Sequence, residues 1–163
     1  MIDYQQVIEE LKDFLSTDIA IEIEQKDALM PILLIPEKDI KTICKYLYEN
    51  EKYYFDFLSC ITAIDNGVEA DSMEVVYNLY SIPFEKSICL KVKLNRQNAE
   101  IETVSDIWNS ANWHEREAFD MFGIIFTNHP DLRRILMPAD WVGHPLKKDY
   151  QIQEIYHNIK VEY

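Results

Sequence analysis

The residue types that could carry chemistry are concentrated in one stretch of the C-terminal third, WHEREAFDMFGI. Within it, His114, Glu115, Glu117 and Asp120 could bind a metal or act as a general acid and base. A zinc motif of the H-E-x-x-H type would need a second histidine at position 118, which is an alanine. Paired carboxylates alone lack the nucleophile and the oxyanion donors of a hydrolase. The stretch favours a structural or docking helix, and a hydrolase using His114, Glu117 and Asp120 remains an alternative.

Helical spacing predicts how the charges of this stretch are arranged. Asn112, three residues before Glu115, resembles a capping box, which would explain a carboxylate in the middle of an apolar arc. Arg116, Glu117 and Asp120 fall on the opposite arc, where Arg116 and Asp120 can pair at i,i+4. One surplus acid is then left on this arc, and it requires a cation from elsewhere in the chain or from a partner.

The following segment, HPDLRRILMPADWVGHPLKKDY at residues 129–150, supplies such cations in an otherwise acidic chain. Pro130 and Asp131 suit the first turn of a short helix that would run to Met137. Its two histidines could ligate a metal or, more simply, cap turns fixed by the prolines that follow them. Arginine beside tryptophan is typical of protein interfaces. We therefore predict that these partner-docking residues contact other proteins: Glu115, Arg116, Glu117, Asp120, Arg133, Arg134, Trp141, His144, Lys147 and Lys148.

The composition excludes several classes of function. The 163 residues carry a formal charge of −13, which repels a phosphate backbone and makes nucleic acid an unsuitable partner. The three glycines form neither G-x-G-x-x-G nor a P-loop. Cys44, Cys60 and Cys89 fit neither a disulfide framework nor the four thiolates of an iron–sulfur cluster, so we expect reduced cytosolic thiols. The first residues do not resemble a signal peptide, and no apolar run reaches the ~20 residues of a membrane span.

The elements that must position the candidate residues follow from hydrophobic periodicity. Helical spacing predicts a first helix from Tyr4 to Leu15 and a second after Pro36. Alternation predicts short strands at 19–24 and 31–35 and longer ones at 53–64, 73–81 and 87–94. The expected fold class is therefore α+β: a mixed, mainly antiparallel sheet covered by helices, with an extended C-terminal segment. We divide it into a sheet domain at 1–102, the signature helix and docking segment at 103–150, and a tail at 151–163 that is either a helix or an extended arm.

The motifs EREAFDMFGIIFTNHPDLRRIL and DWVGHPLKKDY resemble the signature of the C subunit, the thirty-kilodalton subunit, of the proton-pumping NADH:quinone oxidoreductase, respiratory complex I. The likeness is dense from Trp113 to Tyr150. This chain has Asn128 where the family usually has glycine, and the turn should survive because asparagine tolerates positive φ. Phe119 replaces a common tyrosine, and Lys147 replaces a common arginine and its bidentate fork. The matching positions are Glu115, Arg116, Glu117, Asp120, Gly123, His129, Pro130, Asp131, Arg133 and Arg134, then Asp140, Trp141, Gly143, His144, Pro145, Asp149 and Tyr150.

The resemblance implies a non-catalytic core subunit of the peripheral arm, packed beside the D subunit near the quinone cavity. It implies that this chain holds no cofactor, and that FMN and iron–sulfur clusters belong to partner subunits. It also implies a peripheral position at the cytoplasmic face of the bacterial inner membrane. The same motif family serves in membrane-bound hydrogenases and related dehydrogenase complexes, so a homologous subunit of such a complex is the alternative.

Overall fold

The computed structural model describes residues 4–15, 21–24 and 31–161. Three α-helices and nine strands lie in these ranges. A 3-10 turn at Glu37–Asp39 leads into the second helix. The helices are α1 (Tyr4–Leu15), α2 (Ile40–Glu49) and α3 (Ala111–Phe122); the strands are β1 (Glu22–Glu24), β2 (Ile32–Leu34), β3 (Phe57–Asp65), β4 (Ser72–Ser81), β5 (Lys86–Asn95), β6 (Glu100–Glu102), β7 (Ile125–Thr127), β8 (Ile155–Tyr156) and β9 (Ile159–Lys160).

The main sheet has the order β1-β2-β5-β4-β3. Strands β3, β4 and β5 form an antiparallel meander, as the short connections between the predicted strands indicated. Strand β2 pairs in parallel with β5 at one edge of the meander, and β1 pairs with β2 in antiparallel orientation. The predicted α+β class, with a mixed and mainly antiparallel sheet, is confirmed. Strand β3 begins later than predicted, because Tyr54 turns the chain at a φ of 38°.

The helices bury one face of this sheet. Along β4, the alternate residues Met73, Val75, Tyr77 and Leu79 are buried, and they join one hydrophobic cluster with the apolar faces of α1 and α2. The two predicted helices are confirmed. The predicted first strand is confirmed only over Glu22–Glu24, because residues 19 and 20 lie outside the described residues.

Helix α3 is held between two short parallel strands. Strands β6 and β7 pair with Ile101 opposite Phe126, so the chain leaves this small sheet, forms α3 against β3 and returns. Gly123 ends the helix in the left-handed conformation, at a φ of 78°, and its N–H caps the Phe119 carbonyl. A side chain at Gly123 would also meet the His144 ring at 2.7 Å. The position therefore requires glycine for two reasons.

Residues 128–161, which we call the C-terminal segment, run over the surface with little regular structure. The short helix predicted from Pro130 to Met137 is wrong, because these residues form turns and bends. Asn128 has a φ of 62°, so the expectation that asparagine preserves this turn is confirmed. The tail forms the β8–β9 hairpin, whose two central residues, His157 and Asn158, both have positive φ as a type I′ turn requires.

Candidate docking surface

The C-terminal segment presents apolar side chains to solvent. Between residues 127 and 161, all of which the structure describes, no hydrophobic residue is buried. Exposed apolar surface of this kind makes the segment a candidate site of protein contact. They are Leu136, Val142, Leu146, Ile152, Ile155 and Ile159.

One buried carboxylate, Asp120, holds the first half of the segment. Its Oδ2 accepts three successive backbone N–H groups, at 2.7–3.0 Å, from the residues numbered 135 to 137. Its Oδ1 accepts from Arg134 Nη1 at 2.6 Å, and Arg134 Nη2 donates onward to the Gly143 carbonyl at 2.8 Å. These amides donate to the carboxylate and not to carbonyls four residues back, which explains why the segment is not helical there. We call this arrangement the Asp120 cluster.

The partners of Asp120 differ from those that helical spacing predicted. The expected i,i+4 pair with Arg116 is wrong, because Arg134 approaches from the segment and takes that place. The basic segment does supply a cation to this arc, as expected, but it goes to Asp120; Glu117, the acid left over in the predicted pairing, has no ion pair among the described residues. Burial acts to raise the pKa of Asp120, but the donors from Met137, Arg134 and the neighbouring amides outweigh it and hold the pKa below its ordinary value.

A second ionic cluster holds the later part of the segment to the end of the main sheet. Arg96, after β5, donates from Nε and Nη2 to both oxygens of Asp65 at 2.7 and 3.0 Å. Its other edge donates to Asp149 of the segment. Asp65 also accepts the backbone N–H groups of Gly67 and Lys148. The Arg96 guanidinium and these amides hold the pKa of Asp65 well below its usual range, although burial opposes them.

Sequence reasoning missed Asp65 and Arg96. Each is an isolated charge at the end of a strand, and only the meander brings the two strand ends together. The only available signal was that Arg96 is the first arginine of the chain. We call Asp65, Arg96 and Asp149 the Arg96 cluster.

Glu115 lies within the hydrophobic core and is fully buried. The predicted capping box is wrong, because Glu115 reaches across to the chain after β6 instead of back along its own helix. It accepts hydrogen bonds from the Thr103 hydroxyl and, at 2.8 Å, from the Val104 N–H. Burial raises the pKa of Glu115 to about 7, although these two donors favour the charged form.

Two histidines of the segment, His129 and His144, contact backbone groups. His144 Nδ1 donates to the Asp120 carbonyl at 3.0 Å. His129 Nε2 donates to the Asn112 carbonyl at 3.3 Å, and its Nδ1 accepts the Asp131 N–H at 3.0 Å. Burial lowers the pKa of His129, so its approach to Glu115 at 3.7 Å is that of a neutral ring. The imidazoles occupy turn-capping positions, as the proline context indicated.

The structure separates the ten predicted docking residues by exposure. Glu115, Arg116 and Asp120 are buried, whereas Glu117, Arg133 and Lys148 are exposed; Arg134, Trp141, His144 and Lys147 are half-buried. Their docking role stays a prediction. For Glu115 and Asp120, the geometry assigns internal partners that shape the surface from below.

The described ranges do not support two further classes of site, a metal centre or a hydrolase site, and contain no membrane-spanning helix. There, no three histidine, cysteine or acidic side chains converge as a metal site requires. Asp120, needed by the hydrolase alternative, has both oxygens engaged by internal donors. Within residues 4–15, 21–24 and 31–161, the helices are all too short or too polar to cross a bilayer.

Comparison with known families identifies relatives over most of the chain. The profile of the family described as respiratory-chain NADH dehydrogenase, 30 kDa subunit, matches residues 33–156. The NADH-quinone oxidoreductase C subunit of Geobacter sulfurreducens is 41% identical over 154 residues, covering 94% of this chain and 93% of the relative. The protein of the same name from Chloroherpeton thalassium is 43% identical over 137 residues, covering 83% of this chain but only 56% of the relative.

Solved structures share the fold. A trypsin-resistant fragment of Nqo5 superposes with a TM-score of 0.58 at 27% identity, covering 80% of this chain and all of the fragment. A chain of an archaeal respiratory membrane complex, the membrane-bound sulfane sulfur reductase, superposes with a TM-score of 0.66. That chain is 22% identical, with 90% of this chain and 86% of the other covered, and this likeness concerns the fold alone.

Proposed function

The chain belongs to the 30 kDa subunit family of the respiratory-chain NADH dehydrogenase, and we propose that it acts in that enzyme as a non-catalytic docking subunit of the peripheral arm. In this role it supports electron transfer from NADH to quinone, coupled to proton translocation, by packing beside the quinone-site subunit. The observation that carries the proposal is the C-terminal segment, which exposes six large hydrophobic residues while two ionic clusters hold its backbone.

A docking surface of this construction suits a permanent complex. Apolar side chains supply the favourable burial on association. The ionic clusters fix the backbone beforehand, so less conformational entropy is lost when the partner binds. The isolated chain is expected to have no turnover of its own, with FMN and iron–sulfur clusters residing in partner subunits. Its association with the cytoplasmic face of the membrane would then run through the assembled complex.

The test is recovery of the tagged chain from detergent-solubilised membranes of the organism that encodes it. We expect NADH-oxidising and quinone-reactive subunits, including the D subunit, to co-purify at equal stoichiometry. The purified chain alone should contain no flavin or iron and oxidise no NADH. A chain that purifies alone from membranes and cytosol, or that is coloured and active by itself, would exclude the proposal.

A matched pair of variants tests the surface itself. Ile155, on the hairpin, and Ile82, in the turn between β4 and β5, are 63% and 58% exposed. We expect Ile155→Glu to reduce incorporation about tenfold, because a charge would be buried at the interface. Ile82→Glu should be incorporated normally. Equal incorporation of both variants would remove the C-terminal segment from the interface.

A further inference from the structure

Arg116 is a buried cation that has no counterion among the residues described by the structure. Only 7% of the residue is exposed. Its Nε donates to the Arg133 carbonyl at 3.2 Å. In the described part of the chain, no carboxylate comes within 4.0 Å of its nitrogens. A guanidinium so far removed from water is costly unless an anion compensates it.

The unpaired edge of this guanidinium reaches the surface. Fully buried side-chain nitrogens and oxygens without a partner occur, among the described residues, on Asp39, Tyr77, Ser81 and Gln153. The nitrogens of Arg116 are not in this set, so its remaining N–H groups still meet solvent. A carboxylate arriving from outside could therefore accept them directly.

Trp113 covers the face of the same guanidinium. The Arg116 Cζ lies 4.9 Å from the centre of the indole ring, while Trp113 itself is 63% exposed. A cation–π contact of this kind restrains the guanidinium, and the N–H groups that do not contact the ring could still bind a bidentate carboxylate. An exposed tryptophan beside such a guanidinium combines an apolar anchor with an anion receptor.

The charged residues around this site do not form an ion pair with Arg116. Arg133 is exposed and pairs with Asp131 at 3.0 Å, so its charge is partly compensated. His129, which lies nearby, is held neutral by burial, as its lowered pKa indicates. Glu117, the next residue of α3, is exposed and makes no ion pair with Arg116. Among the described residues, Arg116 therefore has no ion-pair partner, and the exposed Glu117 beside it has none either.

We propose that Trp113 and Arg116 form a receptor for one aspartate or glutamate side chain of a neighbouring subunit. The acid would form a bidentate pair with Arg116, and the apolar surface around it would pack on Trp113. This inference rests on the proposed function, because it needs a protein partner, but it concerns the start of α3 and not the apolar residues of the C-terminal segment.

The first experiment measures rebinding of the purified chain to membranes from a strain that lacks it. Arg116→Gln should raise the half-saturating concentration at least about 30-fold, as expected for loss of one partner of a buried charge pair. Trp113→Ala should raise it about tenfold or more. Lys93→Gln, which removes an exposed cation from β5, is the control and should bind normally. Thermal unfolding of each isolated variant identifies any loss caused by misfolding, and Trp113→Ala, at an exposed position, should fold normally.

The second experiment identifies the acid. In the assembled complex containing Arg116→Lys, a carbodiimide should join the substituted amine to a carboxylate of another subunit as an amide, which peptide mass spectrometry locates. The wild-type complex should give no cross-link at this position. Normal rebinding of both Arg116→Gln and Trp113→Ala, or a cross-link only to a carboxylate of this same chain, would overturn the receptor. Failure of the wild-type chain to bind membranes at all would instead overturn the proposed function.

Discussion

The main sheet, formed by β1 to β5, and the C-terminal segment are held in place by different forces. Buried hydrophobic side chains from every long strand fill the space between the sheet and its helices. The segment contains no buried hydrophobic residue, and the Asp120 and Arg96 clusters attach it to that body. A backbone fixed by hydrogen bonds leaves its apolar side chains free for another protein. The hydrophobic core therefore stabilises the fold, whereas the C-terminal segment presents a surface.

The largest expected effect lies in the sheet. Leu90, on the central strand β5, is fully buried and pairs across to Tyr77. Leu90→Ala should lower the free energy of unfolding by about 2–5 kcal/mol, because it leaves a cavity in the core. Urea unfolding should show the sheet and the segment losing structure together. Loss of segment structure alone would show that the core does not support the segment.

Asp120→Asn should have a smaller and more local effect. Losing the charge that Arg134 and three amides share should cost about 3 kcal/mol. Hydrogen exchange should accelerate at the amides of residues 135–137 while the amides of β4 and β5 stay protected. Asp131→Asn, which breaks the exposed pair with Arg133, is the control and should change stability by less than about 1 kcal/mol. Equal exchange profiles for the two variants would contradict a segment held by the Asp120 cluster.

Two carboxyls of α3, Glu115 in the core and Asp120 beneath the segment, have opposite pH behaviour. In the core, burial raises the pKa of Glu115 to about 7, so the folded chain binds more protons than the unfolded chain between about 4.5 and 7. Stability from this group therefore falls as pH rises through that window, by up to about 3 kcal/mol. For Asp120, whose pKa is lowered, stability is present above the ordinary pKa and is lost as pH falls below it.

Glu115→Gln tests this contrast. The variant should remove most of the decline between pH 4.5 and 7 while keeping the loss of stability in acid. Denaturant titrations at half-unit pH steps measure the free energy of unfolding both between pH 4.5 and 7 and in acid. Glu117→Gln, at the exposed position two residues further along α3, should keep the wild-type profile. A Glu115→Gln profile parallel to wild type throughout would show that Glu115 does not titrate in this window.

The smallest expected effect is at the junction of the two regions. Asn128 adopts a φ of 62° where the segment begins. Asn128→Ala should cost about 1 kcal/mol, because alanine tolerates this conformation poorly, and Asn128→Gly should be neutral or slightly stabilising. Thermal unfolding of the two variants measures the difference. Equal melting temperatures would mean that the turn relaxes without strain.

The sequence determined the parts of this protein that depend on local periodicity. Alternation along MEVVYNLYS and helical spacing in α1 and α2 each report which face is buried, so the class, the meander and the helices were predictable. The motifs between Trp113 and Tyr150 were sufficient to indicate the family, and a single asparagine indicated its own turn.

Only the tertiary structure decided the partners of the charges. Helical spacing predicted a pair between Arg116 and Asp120 and a local capping role for Glu115. In the structure, Asp120 binds Arg134, and Glu115 accepts hydrogen bonds from the chain after β6. Asp65 and Arg96, 31 residues apart, meet because two strand ends converge. A buried carboxylate takes whichever donors the packing brings within reach, and that choice depends on three-dimensional proximity, which local spacing does not encode. For the same reason, only the tertiary structure shows that Arg116 has no ion-pair partner among the described residues, because Asp120 pairs with Arg134 instead.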